Sequence, residues 1–340
     1  MKEIWTILTV SLMLLLLGCG ATTEPKAKIN GVSFVASNDL IDASHTETLI
    51  KLHANYASIM PFGFIQNLEH PEIVFNTDRQ WYGETTAGVK QYVKILHDQD
   101  IAILLKPQLW VWRGEFTGFI EMSNDDDWQV LENSYTAFIL EYARLAQELQ
   151  VEMFCIGTEL ERFIEARPEY WRSLIDHLKQ VYHGQLTYAA NWNEYQKTPF
   201  WDQLDYIGID AYFPIDSKRS PTLDAAKSGW KNYKMQIKAH ATKFKKQILF
   251  TEFGYRSIDF AGRAPWTVDK IDKQVNLEAQ QILTQALFEE FWDENWFAGG
   301  FVWKWFHDHK MVGGKDDNRF TPQNKPAENV ILEYYKKYAL

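Results

Sequence analysis

Apolar runs of strand length alternate with stretches of helical periodicity from about residue 31 to the end of the chain. Strands are predicted near residues 31–37, 57–64, 101–110, 153–160, 186–192, 206–213, 248–254 and 300–306. The segments between them carry apolar residues at helical spacing; in one, Tyr135, Phe138, Ile139, Tyr142, Leu145, Ala146 and Leu149 form a single stripe. The next opens with Pro168, whose fixed φ suits a first helical position, and continues through Trp171, Leu174, Ile175, Leu178 and Val181. Strand-helix alternation repeated eight times implies parallel pairing and closure, an α/β fold built as a single (β/α)8, or TIM, barrel. No linker-like composition or internal repeat interrupts residues 30–340, so one domain is expected there.

Loop lengths distinguish the two ends of that barrel. Helix-to-strand links are brief (98–100, 150–152, 183–185, 245–247), whereas strand-to-helix links are long, notably 111–133, 256–274 and 307–325. Such barrels carry their sites on the face built by the strand-to-helix loops. Two strands deliver a glutamate to that face: Cys155-Ile156-Gly157-Thr158 is followed by Glu159, and Leu249-Phe250-Thr251 by Glu252. One glutamate at a strand end is an ordinary surface residue. Two in the same setting, on the fourth and seventh strands, face each other across the barrel mouth. Opposed carboxylates about 5–5.5 Å apart hydrolyse a glycosidic bond with retention, one as proton donor and one as nucleophile. The ionised partner raises the pKa of the other and so keeps its proton on.

Ahead of the barrel the pattern changes. Lys2 precedes an apolar stretch over residues 4–17, too short for a permanent span of about 20 residues, with small residues at its end. That is a secretion signal. Leu16-Leu17-Gly18-Cys19 resembles the bacterial lipobox, which implies removal of residues 1–18 and a lipid on Cys19. An ordinary signal peptide that contains a Cys, or a retained anchor, are the alternatives. Residues 19–29 are small and polar, as a tether is. Gly20, and not Asp, follows the cysteine, which in a Gram-negative host resembles outer-membrane sorting; the product is expected to be an exported lipoprotein held to a membrane by its lipid alone.

Cys155 is then the remaining thiol, expected buried and inert. A net charge of -10 and a pI near 5.4 leave no basic stripe for nucleic acid, and a neutral polymer is the easier substrate. No cofactor or metal is expected: His307 and His309 bracket Asp308 without a third ligand, and the Asn124-Asp125-Asp126-Asp127 run lacks the glycine and spacing of a calcium loop and reads as a solvated turn.

Several short segments together carry a resemblance: Leu105-Lys106-Pro107, Gly157-Thr158-Glu159, Ala190-Asn191-Trp192, Gly208-Ile209-Asp210-Ala211-Tyr212-Phe213-Pro214, Thr251-Glu252-Phe253-Gly254, and residues 320–327 before the last helix. In this order and spacing the chain resembles clan A glycoside hydrolases, and within them glycoside hydrolase family 113, known for β-1,4-mannanase activity. The resemblance implies that Glu159 is the acid/base and Glu252 the nucleophile. It also marks departures: Thr158 stands where much of the clan has Asn, and Gln108 where a His is expected, a side chain that binds a hydroxyl but cannot titrate near neutrality.

Around this pair, Tyr212 at the end of the sixth strand is expected to donate to Glu252 and orient it. Trp303 and Trp305 alternate with Lys304 and are expected to point the same way, one of them flooring the site beneath a sugar ring. Lys106, Gln108, Trp110, Asn191 and Trp192 are further substrate-binding candidates, with Trp112 and Asn193 near them; Trp201 and Asp210 read as structural. The leading expectation is a monomeric endo-acting retaining hydrolase of β-mannan or glucomannan. A cellulase, xylanase or exo-β-mannosidase shares the chemistry. A non-catalytic glycan-binding lipoprotein and a Schiff-base lyase using Lys106 are the readings of other classes.

Overall fold

A computed structural model describes residues 27–267 and 274–339. The expectations for residues 1–18, Cys19 and most of the tether lie outside the described residues. Ten strands form among those described: β1 (Ile29–Phe34), β2 (Tyr56–Ile59), β3 (Phe62–Ile65), β4 (Ala102–Leu105), β5 (Gln108–Val111), β6 (Met153–Thr158), β7 (Gln185–Asn191), β8 (Tyr206–Asp210), β9 (Gln247–Phe253) and β10 (Phe297–Trp305). Eight of them close a parallel barrel in the order β1-β2-β4-β6-β7-β8-β9-β10. The main helices are α1 (Ala43–Lys51), α2 (Thr86–His97), α3 (Asp125–Glu148), α4 (Glu161–Ala166), α5 (Pro168–Val181), α6 (Leu223–Phe244), α7 (Leu277–Phe291) and α8 (Pro326–Lys337). The barrel starts earlier than expected. Lys28 is already buried, its ammonium donating to the carbonyls of Glu294 and Phe297, so the last two residues assigned to the tether belong to the barrel.

Two expected strands are each split in two. The breaks fall at Met60-Pro61 and Lys106-Pro107, where a ring nitrogen has no proton to give to a ladder. Beyond them β3 and β5 pair with each other as a separate two-stranded sheet at the rim. Lys106 N–H to Ile59 O (2.8 Å) and Gln108 N–H to Pro61 O (2.9 Å) carry hydrogen bonding across the break.

Alternation sorts the interior. Met153 and Cys155 of β6 pack in one cluster with Leu104, Ala189, Leu249 and Phe301, while Phe154 and Ile156 pack in the other, with the helices. The first cluster is the barrel's inside, since successive strand residues face opposite ways. Extra residues then reset this alternation near the active rim. On β9, Ile209 pairs with Phe250 but Asp210 with Glu252, so Thr251 is the extra residue. On β6, two residues lie between those paired with Thr187 and Ala189, where β7 has one. Bulges of this kind re-aim a side chain.

The acidic run at Asn124 is not a solvated turn but the start of α3: Asn124 Oδ1 accepts from Asp127 N–H at 2.9 Å, and three aspartates occupy the first turn. Pro168 begins α5 as expected. Trp171, Trp201, Trp230, Trp292 and Trp305 are fully buried, so a large share of the 14 tryptophans holds the fold together and never meets solvent.

Candidate active site

The extra residue at Thr251 turns Glu252 inward, toward the same face as Asp210 on β8. There three donors converge on its carboxylate. Lys106 Nζ lies 2.6 Å and Gln108 Nε2 3.1 Å from Oε1, and the Tyr212 hydroxyl donates to Oε2 at 2.7 Å. Both oxygens are thus used as acceptors, which fixes the plane of the group. Burial first, and then the charge of Glu252, hold the Tyr212 phenol well above its ordinary range, so it stays a donor. Thr251 Oγ1 donates to Asp210 Oδ1 at 2.7 Å, and Lys106 reaches the same carboxylate at 3.4 Å. Burial pushes the Asp210 carboxyl up, the charge of Glu252 adds to this, and Lys106 and Thr251 oppose it. Burial works against the Lys106 ammonium, but the two carboxylates outweigh it and hold the amine protonated.

Glu159 occupies a different setting. It follows β6 in a left-handed conformation (φ 50), which ends the strand one residue before the carboxylate. Its N–H donates to Ala189 O at 2.8 Å and its carbonyl accepts from Thr117 Oγ1 at 3.1 Å, so the backbone is tied on both sides. Burial pushes the carboxyl well above the ordinary range, followed by the charges of Asp210 and Glu252, with Lys106 opposing. Both glutamates line one open cavity of about 1110 Å³, shared with Gln108, Tyr212, Asn191 and Trp303. That exceeds the roughly 300–1,000 Å³ of sites for small ligands. In its lining the Oδ1 of Asn191 is buried with no hydrogen-bond partner among the described residues.

The family model for Glycoside Hydrolase Family 113 matches residues 40–325. The chain belongs to Glycoside Hydrolase Family 113. Among solved structures, the family 113 β-mannanase AaManA from Alicyclobacillus acidocaldarius, in complex with ManMIm, is 23% identical, with 92% of this chain and 98% of that one covered at a TM-score of 0.80. A family 113 β-1,4-mannanase solved as a complex is 21% identical, with 91% and 99% covered and a TM-score of 0.79. A β-glucuronidase from Faecalibacterium prausnitzii is 15% identical over 91% of this chain and 49% of its own, at a TM-score of 0.61. Among curated proteins none matches.

In this glycoside hydrolase the sequence-predicted residues divide. Gln108, Trp110, Asn191, Trp192, Tyr212 and Trp303 line the cavity with the two glutamates, as does Asn193. Two candidates do not. Trp305 is fully buried with its Nε1 toward Thr48 Oγ1 (3.3 Å), so it packs the barrel wall and cannot floor a sugar. The expected shared direction with Trp303 fails because Val32 and Phe34 of β1 pair with Val302 and Trp305, so β10 carries an extra residue there, within a segment that includes the cis peptide Trp303–Lys304. Lys106 is also fully buried; it serves the carboxylates of Glu252 and Asp210 and has no face for substrate, and its ion pairing deprives a Schiff-base reading of its free amine.

Several cavity residues were missed. Trp266 stacks on Trp192 (5.2 Å between centroids), Phe62 meets Trp110 edge-on, and Trp81 and Lys304 also reach the cavity. The Lys304 ammonium lies 5.5 Å from the Trp303 ring centroid. Trp81 and Trp266 sit in strand-to-helix connections, so membership of a loop on the active face was the available signal. Trp112 is exposed but outside the cavity lining. Trp201 is structural, its Nε1 donating to Tyr195 O. His309 pairs with Glu328 at 2.6 Å, and no cluster able to hold a metal occurs among the described residues.

Proposed function

We propose that this glycoside hydrolase is a retaining endo-β-1,4-mannanase in which Glu252 is the nucleophile and Glu159 the acid/base. The observation that carries the assignment is the contrast between two carboxyls in one cavity. Glu252 is gripped through both oxygens by three donors, whereas no such donor among the described residues holds the Glu159 carboxyl, which burial and the charges of Asp210 and Glu252 push toward its protonated form. Environments that drive two titratable groups apart assign acid and base. Glu252 attacks the anomeric carbon as Glu159 protonates the departing oxygen. Esterification removes the charge of Glu252, Glu159 becomes more acidic, and it then takes a proton from the water that hydrolyses the ester.

The substrate follows from the β-1,4-mannanases of the same family that this chain resembles along nearly its whole length. Internal cleavage is supported by an open cavity with indoles on both sides of the carboxylates: Trp110 and Trp81 on the side of β3 and β5, Trp192 and Trp266 on the other. The test is to incubate residues 27–340 with mannan, glucomannan, xylan and soluble cellulose and to size the products. A ladder from the mannans supports the reading; release of mannose alone, or of products only from xylan or cellulose, overturns it. We further infer, from the lipobox and the Gly20 that follows it, that the protein is exported, lipidated on Cys19 and held at a membrane surface, the outer membrane in a Gram-negative host.

A further inference from the structure

A buried carboxyl that the reaction does not use sits directly behind the site. Glu194, in the short loop after β7, is 1% exposed and is not part of the cavity wall. Its Oε1 accepts from the Tyr188 hydroxyl at 2.7 Å and its Oε2 from Asn191 N–H at 3.0 Å. The Tyr188 oxygen in turn accepts Leu160 N–H at 2.7 Å, and Leu160 directly follows Glu159. Tyr188 itself is fixed, fully buried among Trp171, Phe200 and Trp201. Three hydrogen bonds therefore run from the peptide carrying the proton donor, through a phenol, to a carboxyl that also holds the backbone of cavity-lining Asn191.

We propose that Glu194 is a positioning residue that, through Tyr188, fixes Glu159 in its left-handed turn and sets it in register with Asn191. A buried carboxyl is costly to keep unless its contacts are needed, and here each contact lands on a segment that faces the sugar. Glu159 needs such bracing, because φ 50 is a conformation that residues with a side chain seldom hold unaided. Burial pushes the Glu194 carboxyl up to about 8, and the hydrogen bonds from Tyr188 and Asn191 oppose that rise. A glutamine replaces it only in part: its amide oxygen can still accept Asn191 N–H, but its nitrogen is a donor and cannot accept the Tyr188 hydroxyl proton.

The inference rests on the reading of Glu159 as the proton donor, and leaving-group dependence separates it from a general loss of structure. A dinitrophenolate departs without a proton; a phenolate does not. The wild type, E194A, E194Q and Y188F are assayed on 2,4-dinitrophenyl and phenyl β-mannobiosides, with the corresponding cellobiosides alongside. For E194A and Y188F, kcat/KM on the phenyl substrate should fall about 10- to 100-fold and stay within about threefold on the dinitrophenyl one, because assistance by a general acid is what is lost. E194Q, which keeps the Asn191 contact and loses the acceptor for Tyr188, should fall between wild type and E194A on the phenyl substrate and stay within about threefold on the dinitrophenyl one. Equal losses on both leaving groups, or E194A and Y188F at wild-type rates on the phenyl substrate, overturn the inference. If E194A does not fold, Y188F and E194Q carry the test unaided. The wild type's own choice between mannosides and cellobiosides tests the substrate assignment separately.

Discussion

At the scale of single residues, the two glutamates differ in what surrounds them, and their removal should differ accordingly. Glu252→Ala should lower turnover by about four orders of magnitude or more, as loss of a nucleophile does. Azide can occupy the space left and attack the anomeric carbon directly, giving the α-glycosyl azide. Glu159→Ala should cost about 10²- to 10⁴-fold on mannan, and azide should then intercept the glycosyl-enzyme to give the β-glycosyl azide. The product anomers, read by NMR, assign both roles, and exchange of the two outcomes reverses the assignment. Lys106 carries the second prediction. It is the cation between Glu252 and Asp210, so Lys106→Met leaves two buried carboxylates facing each other. The Asp210 carboxyl, already raised by burial and by Glu252, loses the ammonium that opposes the rise. A proton is then retained on the pair to higher pH, and the acidic limb of the kcat/KM profile moves up, not down. An unmoved limb, or one displaced to lower pH, refutes this account. Breaking a buried pair from one side also destabilises by about 3–5 kcal/mol, measurable by urea titration. A strand-end lysine in sequence reads as a sugar contact or a Schiff base; only its three-dimensional neighbours, 104 and 146 residues away, reveal the counter-ion.

At the scale of elements, the alternation of strands and helices was legible because each strand is a nearly continuous apolar run, the signature of parallel strands buried on both faces. What hid was the local departure from regularity. Pro61 and Pro107 split two strands whose apolar runs continue past the break. The extra residues in β6, β9 and β10 leave no mark in the apolar pattern, yet they decide that Glu252 faces inward and that Trp303 and Trp305 face apart. Close approach reinforces this: a Cβ at Gly254, two residues after Glu252, would sit 2.6 Å from Trp303 O, so a side chain there would force β9 and β10 apart at the rim. The split strands have a functional consequence. They create the β3–β5 sheet, which projects half-exposed Trp110 into the cavity against Phe62. A sugar ring stacked there is held by apolar contact and takes no part in bond cleavage. Trp110→Ala should therefore raise KM for long mannan about 5- to 30-fold, for a loss of about 1–2 kcal/mol of stacking, with kcat unchanged. Short oligosaccharides that do not reach this sheet should be unaffected. A drop in kcat with KM held constant would move Trp110 from platform to catalytic support.

At the scale of the whole molecule, the barrel stands apart from the anchor proposed at Cys19. The described chain is a closed ring in which β1 is locked between β2 and β10, and Lys28 is pinned to the carbonyls of Glu294 and Phe297. The ring is complete from Ala27 onward, so a chain of residues 27–340 should fold with the melting temperature and kcat of the longer forms. Trimming two residues further, to Ile29, removes the Lys28 contacts and should lower the melting temperature measurably. The net charge of -10 bears on the same proposal, since an acidic protein has no net electrostatic attraction to anionic lipid and any attachment would fall to the tether. The last prediction follows. In a bacterial host fed labelled palmitate, the full chain should incorporate label and sediment with membranes. Cys19→Ser should lose the label, because the lipobox thiol is the acceptor, and should lose the membrane-bound activity of the processed form. The unanchored chain of residues 27–340 should hydrolyse mannan at the same kcat, since lipid on Cys19 would contribute location and no chemistry. Label retained in Cys19→Ser would place the lipid elsewhere, and activity that sediments without lipid would show that the apolar residues 4–17 remain as the anchor.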